Sequence, residues 1–123
     1  MKNLTFVIAD DALFMRAVLK RMLEENEGFT VVGEATNGYQ AIEQAGLKKP
    51  DVLTLDITMP EMDGIKAVKG IKKASPKTKI IMVSAMGQQS MVIEAIMAGA
   101  SDFVVKPFEK SRVLQAIQDV MAK

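Results

Sequence analysis

The 123-residue sequence contains no cysteine and no histidine. Without cysteine there is no disulfide, no thiolate nucleophile and no zinc–thiolate site, which is compatible with a cytoplasmic protein. Without histidine there is no imidazole general base, no Ser–His–Asp triad and no histidine metal ligand. A bound metal would need oxygen ligands, which favours a hard cation.

An excess of charge and long apolar runs are also missing. The net charge is +1, so bulk electrostatics favours neither a nucleic acid nor a membrane surface as partner. No apolar run approaches the length of a membrane span, and the N-terminus shows no signal peptide. The composition is that of a globular protein, and the length fits one domain. We expect a single monomeric domain over 1–123.

Short apolar runs alternate with helical stripes along the chain. Strands that are apolar on both faces, with helices between them, form a parallel sheet that is covered on both sides. The sequence therefore predicts an α/β fold, a doubly wound five-stranded parallel sheet of order 2-1-3-4-5 with flavodoxin-like topology. The predicted strands are 4–9, 29–35, 51–56, 78–84 and 102–106.

Polar residues follow four predicted strands, at the edge of the sheet where ligands bind in this topology. Asp10 and Asp11 follow strand 1, and Asp56 ends strand 3. Ser84 ends strand 4, and Lys106 ends strand 5. Three clustered carboxylates repel one another, and a single lysine offsets only part of their charge. With oxygen ligands alone, Mg²⁺ is the expected counter-ion.

This donor set favours a particular chemistry. A partly hydrated Mg²⁺ keeps positions open for a phosphate, which a hydroxyl and an ammonium can also contact. We therefore expect phosphoryl transfer to an aspartate, forming an acyl phosphate. A flavin-binding electron carrier and a hydrolase with an aspartyl nucleophile remain alternatives. A flavin carrier needs a Ser/Thr/Gly-rich phosphate loop after strand 1, but Asp10 and Asp11 occupy that position. The hydrolase needs an Asp-x-Asp motif there, whereas the two aspartates of this chain are adjacent.

Four stretches carry a resemblance to a known family. Together they make the whole chain similar to the receiver domains of two-component response regulators, and within that family to the stand-alone chemotaxis regulators. The resemblance implies that Asp56 is the phosphoacceptor. The stretches are "DD" at 10–11, "LDITMPEMDG" at 55–64, "SAMGQQ" at 84–89 and "GASDFVVKPF" at 99–108.

The same resemblance implies roles for the residues around Asp56. Asp11, Asp56 and the backbone carbonyl of Thr58 would bind Mg²⁺, with Asp10 acting through water. Thr58 and Met86 occupy positions that tune the lifetime of the acyl phosphate in the family.

The resemblance also implies a switch. Ser84 and Lys106 would contact the phosphoryl oxygens, and a cis bond is expected between Lys106 and Pro107. On phosphorylation the Ser84 hydroxyl would move to the phosphate, and the ring of Phe103 would rotate inward behind it.

The partners that the resemblance implies are proteins. The phosphodonor would be a histidine kinase, and the target a flagellar motor switch protein or another output protein, with a phosphatase as a further candidate. A single-domain phosphorelay intermediate is the alternative role. We expect no output domain, and no enzymatic activity beyond the protein's own phosphorylation and dephosphorylation.

The fourth predicted helix, 88–99, is unusually apolar, because its central part carries Glu94 as its single charged residue. Such a helix favours an adaptable partner surface, which we expect to be built from helix 4, strand 5 and helix 5. The lysines of the third helix are interpreted as a solvated face. The expected partner-surface residues are Met91, Ile96, Met97 and Phe103.

Overall fold

The computed structural model describes residues 3–85 and 87–123, so Met86 lies outside the described residues. Strands and helices alternate as predicted. The strands are β1 (Leu4–Ala9), β2 (Phe29–Ala35), β3 (Val52–Leu55), β4 (Lys79–Ser84) and β5 (Asp102–Val105). The helices are α1 (Leu13–Glu24), α2 (Gly38–Lys48), α3 (Gly64–Ala74), α4 (Gln89–Ala98) and α5 (Lys110–Met121).

The five strands form one parallel sheet in the order β2-β1-β3-β4-β5, which confirms the predicted fold class. The neighbouring strands β1 and β3 lead into helices on opposite faces of the sheet. In their register Ala9 lies opposite Leu55. The residues that follow these two strands therefore emerge side by side at the switch point.

The sheet separates two apolar cores, because successive side chains of a strand point to opposite faces. Val7 and Ala9 of β1 join the core covered by α2, α3 and α4. Phe6 and Ile8 join the core under α1 and α5. Burying a side chain of this size contributes roughly 1.5–3 kcal/mol, so the two cores hold the strand ends in fixed positions.

Local signals set several of the boundaries. The side chain of Asn37 accepts a hydrogen bond from the backbone of Gln40 at 2.8 Å and caps α2. Asp63 does the same for α3, because its side chain accepts a hydrogen bond from the backbone of Lys66 at 2.9 Å. The α4 helix ends at Gly99, whose φ of 123° suits glycine. The predicted cis bond before Pro107 is present. Within the described ranges, no helix is both long and apolar enough to cross a membrane.

Candidate functional site

The hydrogen-bond ladder of the sheet continues into the aspartates at the switch point. The backbone N–H of Asp10 donates to the carbonyl of Ala35, and that of Asp56 donates to the carbonyl of Ala9, each at 3.0 Å. Both residues lie one position beyond a buried strand. The sheet itself therefore fixes the backbone of these two carboxylates.

The three predicted carboxylates come together. One oxygen each from Asp10, Asp11 and Asp56 lies within 4.8 Å of the others. Asp10 is 2% exposed and Asp56 is 7% exposed, whereas Asp11 faces solvent. Two such charges at 4.8 Å repel by about 3.5 kcal/mol at an effective dielectric constant of about 20. A cluster of this kind favours a bound cation.

Lys106 lies between the two buried carboxylates. Its Nζ is 2.7 Å from Oδ2 of Asp10 and 3.2 Å from Oδ2 of Asp56. Burial alone would lower the pKa of Lys106, but its hydrogen bonds to the two carboxylates and their charges outweigh burial and raise it. The backbone N–H of Lys106 donates to the carbonyl of Ser84 at 2.8 Å, so the ends of β4 and β5 meet beside the cluster. Ser84 itself is buried.

Backbone N–H groups hold the second oxygen of each buried carboxylate. Oδ1 of Asp10 accepts a hydrogen bond from Ala12 at 2.9 Å. Oδ1 of Asp56 accepts one from Ile57 at 2.7 Å. Both carboxylates are therefore oriented at one oxygen by the chain and at the other by an ammonium. Thr58 lies two residues beyond Asp56 in the loop between β3 and α3, and it is exposed.

The donor set fits a hard divalent cation. Three carboxylates facing one ammonium leave two uncompensated negative charges. All the side-chain ligand atoms are oxygens, which Mg²⁺ and Ca²⁺ prefer. The exposed position of Asp11 keeps one side of the cluster open to solvent.

Arg16, which the sequence did not single out, pairs with Glu34 and holds the backbone of Asp10. Nη1 of Arg16 donates to the backbone carbonyl of Asp10 at 2.8 Å, and Nε donates to the carboxylate of Glu34 at 2.8 Å. The Arg16 side chain is 13% exposed. The sequence does show an arginine in the first turn of α1, directly after the two aspartates. The apolar periodicity of the helix does not distinguish this arginine from one that simply faces solvent.

Gly64 is a second position whose role at the site was missed. Its N–H donates to the carbonyl of Ile57 at 2.8 Å. A Cβ at Gly64 would overlap the backbone carbonyl oxygen of Asp56 and lie 2.8 Å from its carbonyl carbon. Glycine is therefore required where α3 begins, because the helix packs directly on the backbone of the candidate phosphoacceptor.

The predicted partner surface is only partly exposed. Ile96 is 44% exposed and Met97 is 82% exposed, whereas Met91 is half-buried against the core. Phe103 is 7% exposed, which corrects the expectation that it lies on the exposed surface. Its position on β5 points the ring into the core under α4, beside residues such as Ala95. Ile93 and Val105 are exposed apolar residues of the same region that the sequence did not single out.

The fold and the site together define a class of protein. It is a doubly wound α/β protein in which an acidic cluster and one lysine meet at the switch point of the sheet. Comparison with known families gives the class its name, because the model of the response regulator receiver domain matches residues 6–118. The chain belongs to this family. This decides against the flavin carrier and the aspartyl hydrolase considered above.

Several relatives are named as chemotaxis proteins. The chain is 58% identical over 114 residues to the chemotaxis protein CheY of Thermotoga maritima, covering 93% of this chain and 94% of the relative. It is 58% identical over 115 residues to that of Bacillus subtilis, covering 94% and 95%. Among solved structures, the CheX–CheY–BeF3–Mg²⁺ complex of Borrelia burgdorferi matches with a TM-score of 0.92 and 34% identity, covering 98% of this chain and 90% of the other. These similarities indicate a chemotaxis regulator of the two-component type.

Proposed function

We propose that the protein is a phosphorylation-activated switch that accepts a phosphoryl group on Asp56 from a phosphohistidine of a histidine kinase. The observation that carries the proposal is the ammonium of Lys106 at 2.7 and 3.2 Å from two buried carboxylates. In that position the ammonium of Lys106 can pair with the carboxylate of Asp56 before the reaction and with a phosphoryl group attached to Asp56 after it.

In the proposed reaction a carboxylate oxygen of Asp56 attacks phosphorus. The new O–P bond forms as the P–N bond to the imidazole breaks, and the leaving imidazole nitrogen takes up one proton. Lys106 and the hydroxyl of Ser84 hold the phosphoryl oxygens. Attack of water on the same phosphorus later releases inorganic phosphate and restores the carboxylate.

Mg²⁺ is part of the proposal. Asp11, Asp56 and the backbone carbonyl of Thr58 would hold it directly, and Asp10 would hold it through water. When bound, the ion neutralises charge that develops on the phosphoryl oxygens. The related CheY of Borrelia burgdorferi was crystallised with Mg²⁺, BeF3 and CheX, which supports both a bound cation and a protein partner here.

The proposed output is a change of partner binding. The hydroxyl of Ser84 would move toward the phosphoryl group, and Phe103 would stay packed behind it under α4. Since Ser84 ends β4 and pairs with Val105 of β5, its motion would reshape the surface of α4, β5 and α5. The proposed target is a flagellar motor switch protein or another output protein in the cytoplasm, with a phosphatase to end the signal.

Intact-mass measurement tests the proposal. The protein is incubated with Mg²⁺ and a small-molecule phosphodonor, and Asp56→Asn is compared with wild type. We expect wild type to gain the mass of one phosphoryl group and the variant to gain none. Asp119→Asn, an exposed aspartate on α5, is the matched control and should behave as wild type. Equal mass gain in wild type and Asp56→Asn would sink the proposal.

A further inference from the structure

A cleft of about 520 Å³ lies between α3 and α4, and the aspartate cluster is not part of it. Its volume is within the range of protein sites that hold a ligand. Three of its lining side chains are charged, namely Lys66, Lys69 and Glu94, and a fourth, Met97, is strongly exposed. The lining residues are Ile65, Lys66, Lys69, Glu94, Met97 and Ala98.

The cleft shares Met97 with the partner surface described above, but its other residues lie on a different margin of α4 or on α3. Glu94, Met97 and Ala98 are spaced three and four residues apart, so they share one face of the helix. Ile93 and Ile96 belong to the adjacent margin, and neither lines the cleft. At 82% exposure, Met97 presents a flexible apolar side chain to the α3 side, where it can adapt to a partner.

The α3 wall is strongly basic. Residues 64–79 contain six lysines and no acidic residue. Lys72 has a structural role, since its Nζ donates to the backbone carbonyls of Pro76 and Thr78 at 3.0 and 2.7 Å. Four others are exposed, and none of them forms an ion pair within residues 3–85 and 87–123. These four are Lys66, Lys69, Lys73 and Lys77.

We propose that the α3–α4 cleft binds an acidic amphipathic helix of a partner protein. The apolar side of such a helix would pack on Met97 and Ile65, and its carboxylates would face Lys66 and Lys69. A groove between two helices suits a helical occupant, and the unpaired lysines supply charge complementarity to an acidic one. In this proposal Lys66 and Lys69, which line the cleft, form the rim of the binding surface.

The inference is tested by titrating the full ¹⁵N-labelled chain with a synthetic helical peptide that carries leucines on one side and glutamates on the other. We expect backbone shifts concentrated in α3 and α4, and weaker binding at higher salt. Reversing two charges in Lys66→Glu/Lys69→Glu should weaken binding at least about tenfold, a loss of about 1.4 kcal/mol. Lys20→Glu/Arg21→Glu makes the same charge change on exposed positions of α1 and should leave the affinity near that of wild type.

Three results would overturn the inference. The first is that a peptide with lysines in place of the glutamates binds as tightly. The second is that the acidic peptide shifts β5 and α5 instead of α3. The third is that vesicles containing anionic phosphatidylglycerol bind the protein in a manner sensitive to the α3 charge reversal while the acidic peptide does not bind. Met97→Ser gives an independent check, because it should weaken peptide binding without altering the charge.

Discussion

Neutralising Asp11 should stabilise the protein when no divalent cation is bound. Asp11 lies within 4.8 Å of Asp10 and Asp56, and Lys106 cancels about one of those two charges. The remaining repulsion is about 0.9 kcal/mol at the dielectric constant of water and about 3.5 kcal/mol at 20. Asp11 is exposed, so the lower part of this range applies. Losing its attraction to the start of α1 costs roughly 0.3–1 kcal/mol. We therefore expect Asp11→Asn to gain about 1 kcal/mol.

When Mg²⁺ is added, wild type should become more stable than Asp11→Asn. A ligand that binds the folded state at ten times its dissociation constant stabilises it by about 1.4 kcal/mol. Wild type should gain this amount, whereas Asp11→Asn lacks a proposed direct ligand and should gain much less. Urea unfolding at low ionic strength, once with a chelator and once with Mg²⁺, measures both free energies of unfolding.

The matched control is Glu43→Gln, which neutralises an exposed carboxylate in the middle of α2. Its stability should change little, and it should respond to Mg²⁺ as wild type does. The reasoning fails if Asp11→Asn is less stable than wild type in the chelator, since the cluster would then not be repulsive. It also fails if Mg²⁺ stabilises the variant as much as wild type.

Three further predictions concern the frame of the site. In thermal melts, Gly64→Ala should lose at least about 2 kcal/mol of stability, because the new Cβ overlaps the backbone carbonyl of Asp56. Gly46→Ala is the control: its Cβ makes an ordinary 3.7 Å contact, so it should gain a few tenths to about 1 kcal/mol of stability. Wild type should have a larger free energy of unfolding than Lys106→Met at every pH below 10.5, the ordinary pKa of a lysine. This difference should disappear as pH rises through the raised pKa of Lys106 in the folded state. A difference that persists in strong alkali contradicts the prediction. Thr54 has a buried hydroxyl with no hydrogen-bond partner among the described residues, so Thr54→Val should stabilise the protein by about 1 kcal/mol in urea unfolding, and a loss would show that the hydroxyl is satisfied.

The sequence predicted the main parts of the site because the topology supplies the contacts. Lys106 is 96 residues from Asp10 along the chain, yet both follow parallel strands, and the carboxyl ends of such strands meet at one edge. Arg16 and Gly64 were missed for a different reason. Their roles depend on a backbone carbonyl that each one approaches, and apolar periodicity carries no information about such contacts. Phe103 was misplaced because an apolar residue on an outer strand can face either side, and only packing under α4 decides.

The charge balance of the cluster explains why it needs both a buried lysine and an exposed aspartate. With Lys106 alone the site keeps two uncompensated negative charges, so it attracts a divalent cation, which would make the cluster neutral. In the proposed reaction a phosphoryl group on Asp56 would add negative charge beside the ammonium of Lys106 and a bound cation, and both would offset that charge. Because Asp11 is the exposed member, a bound ion would be able to enter and leave from solvent without opening the sheet. Asp10 and Asp56 are buried and held by backbone hydrogen bonds, so they would keep the geometry of the site during the proposed change of charge.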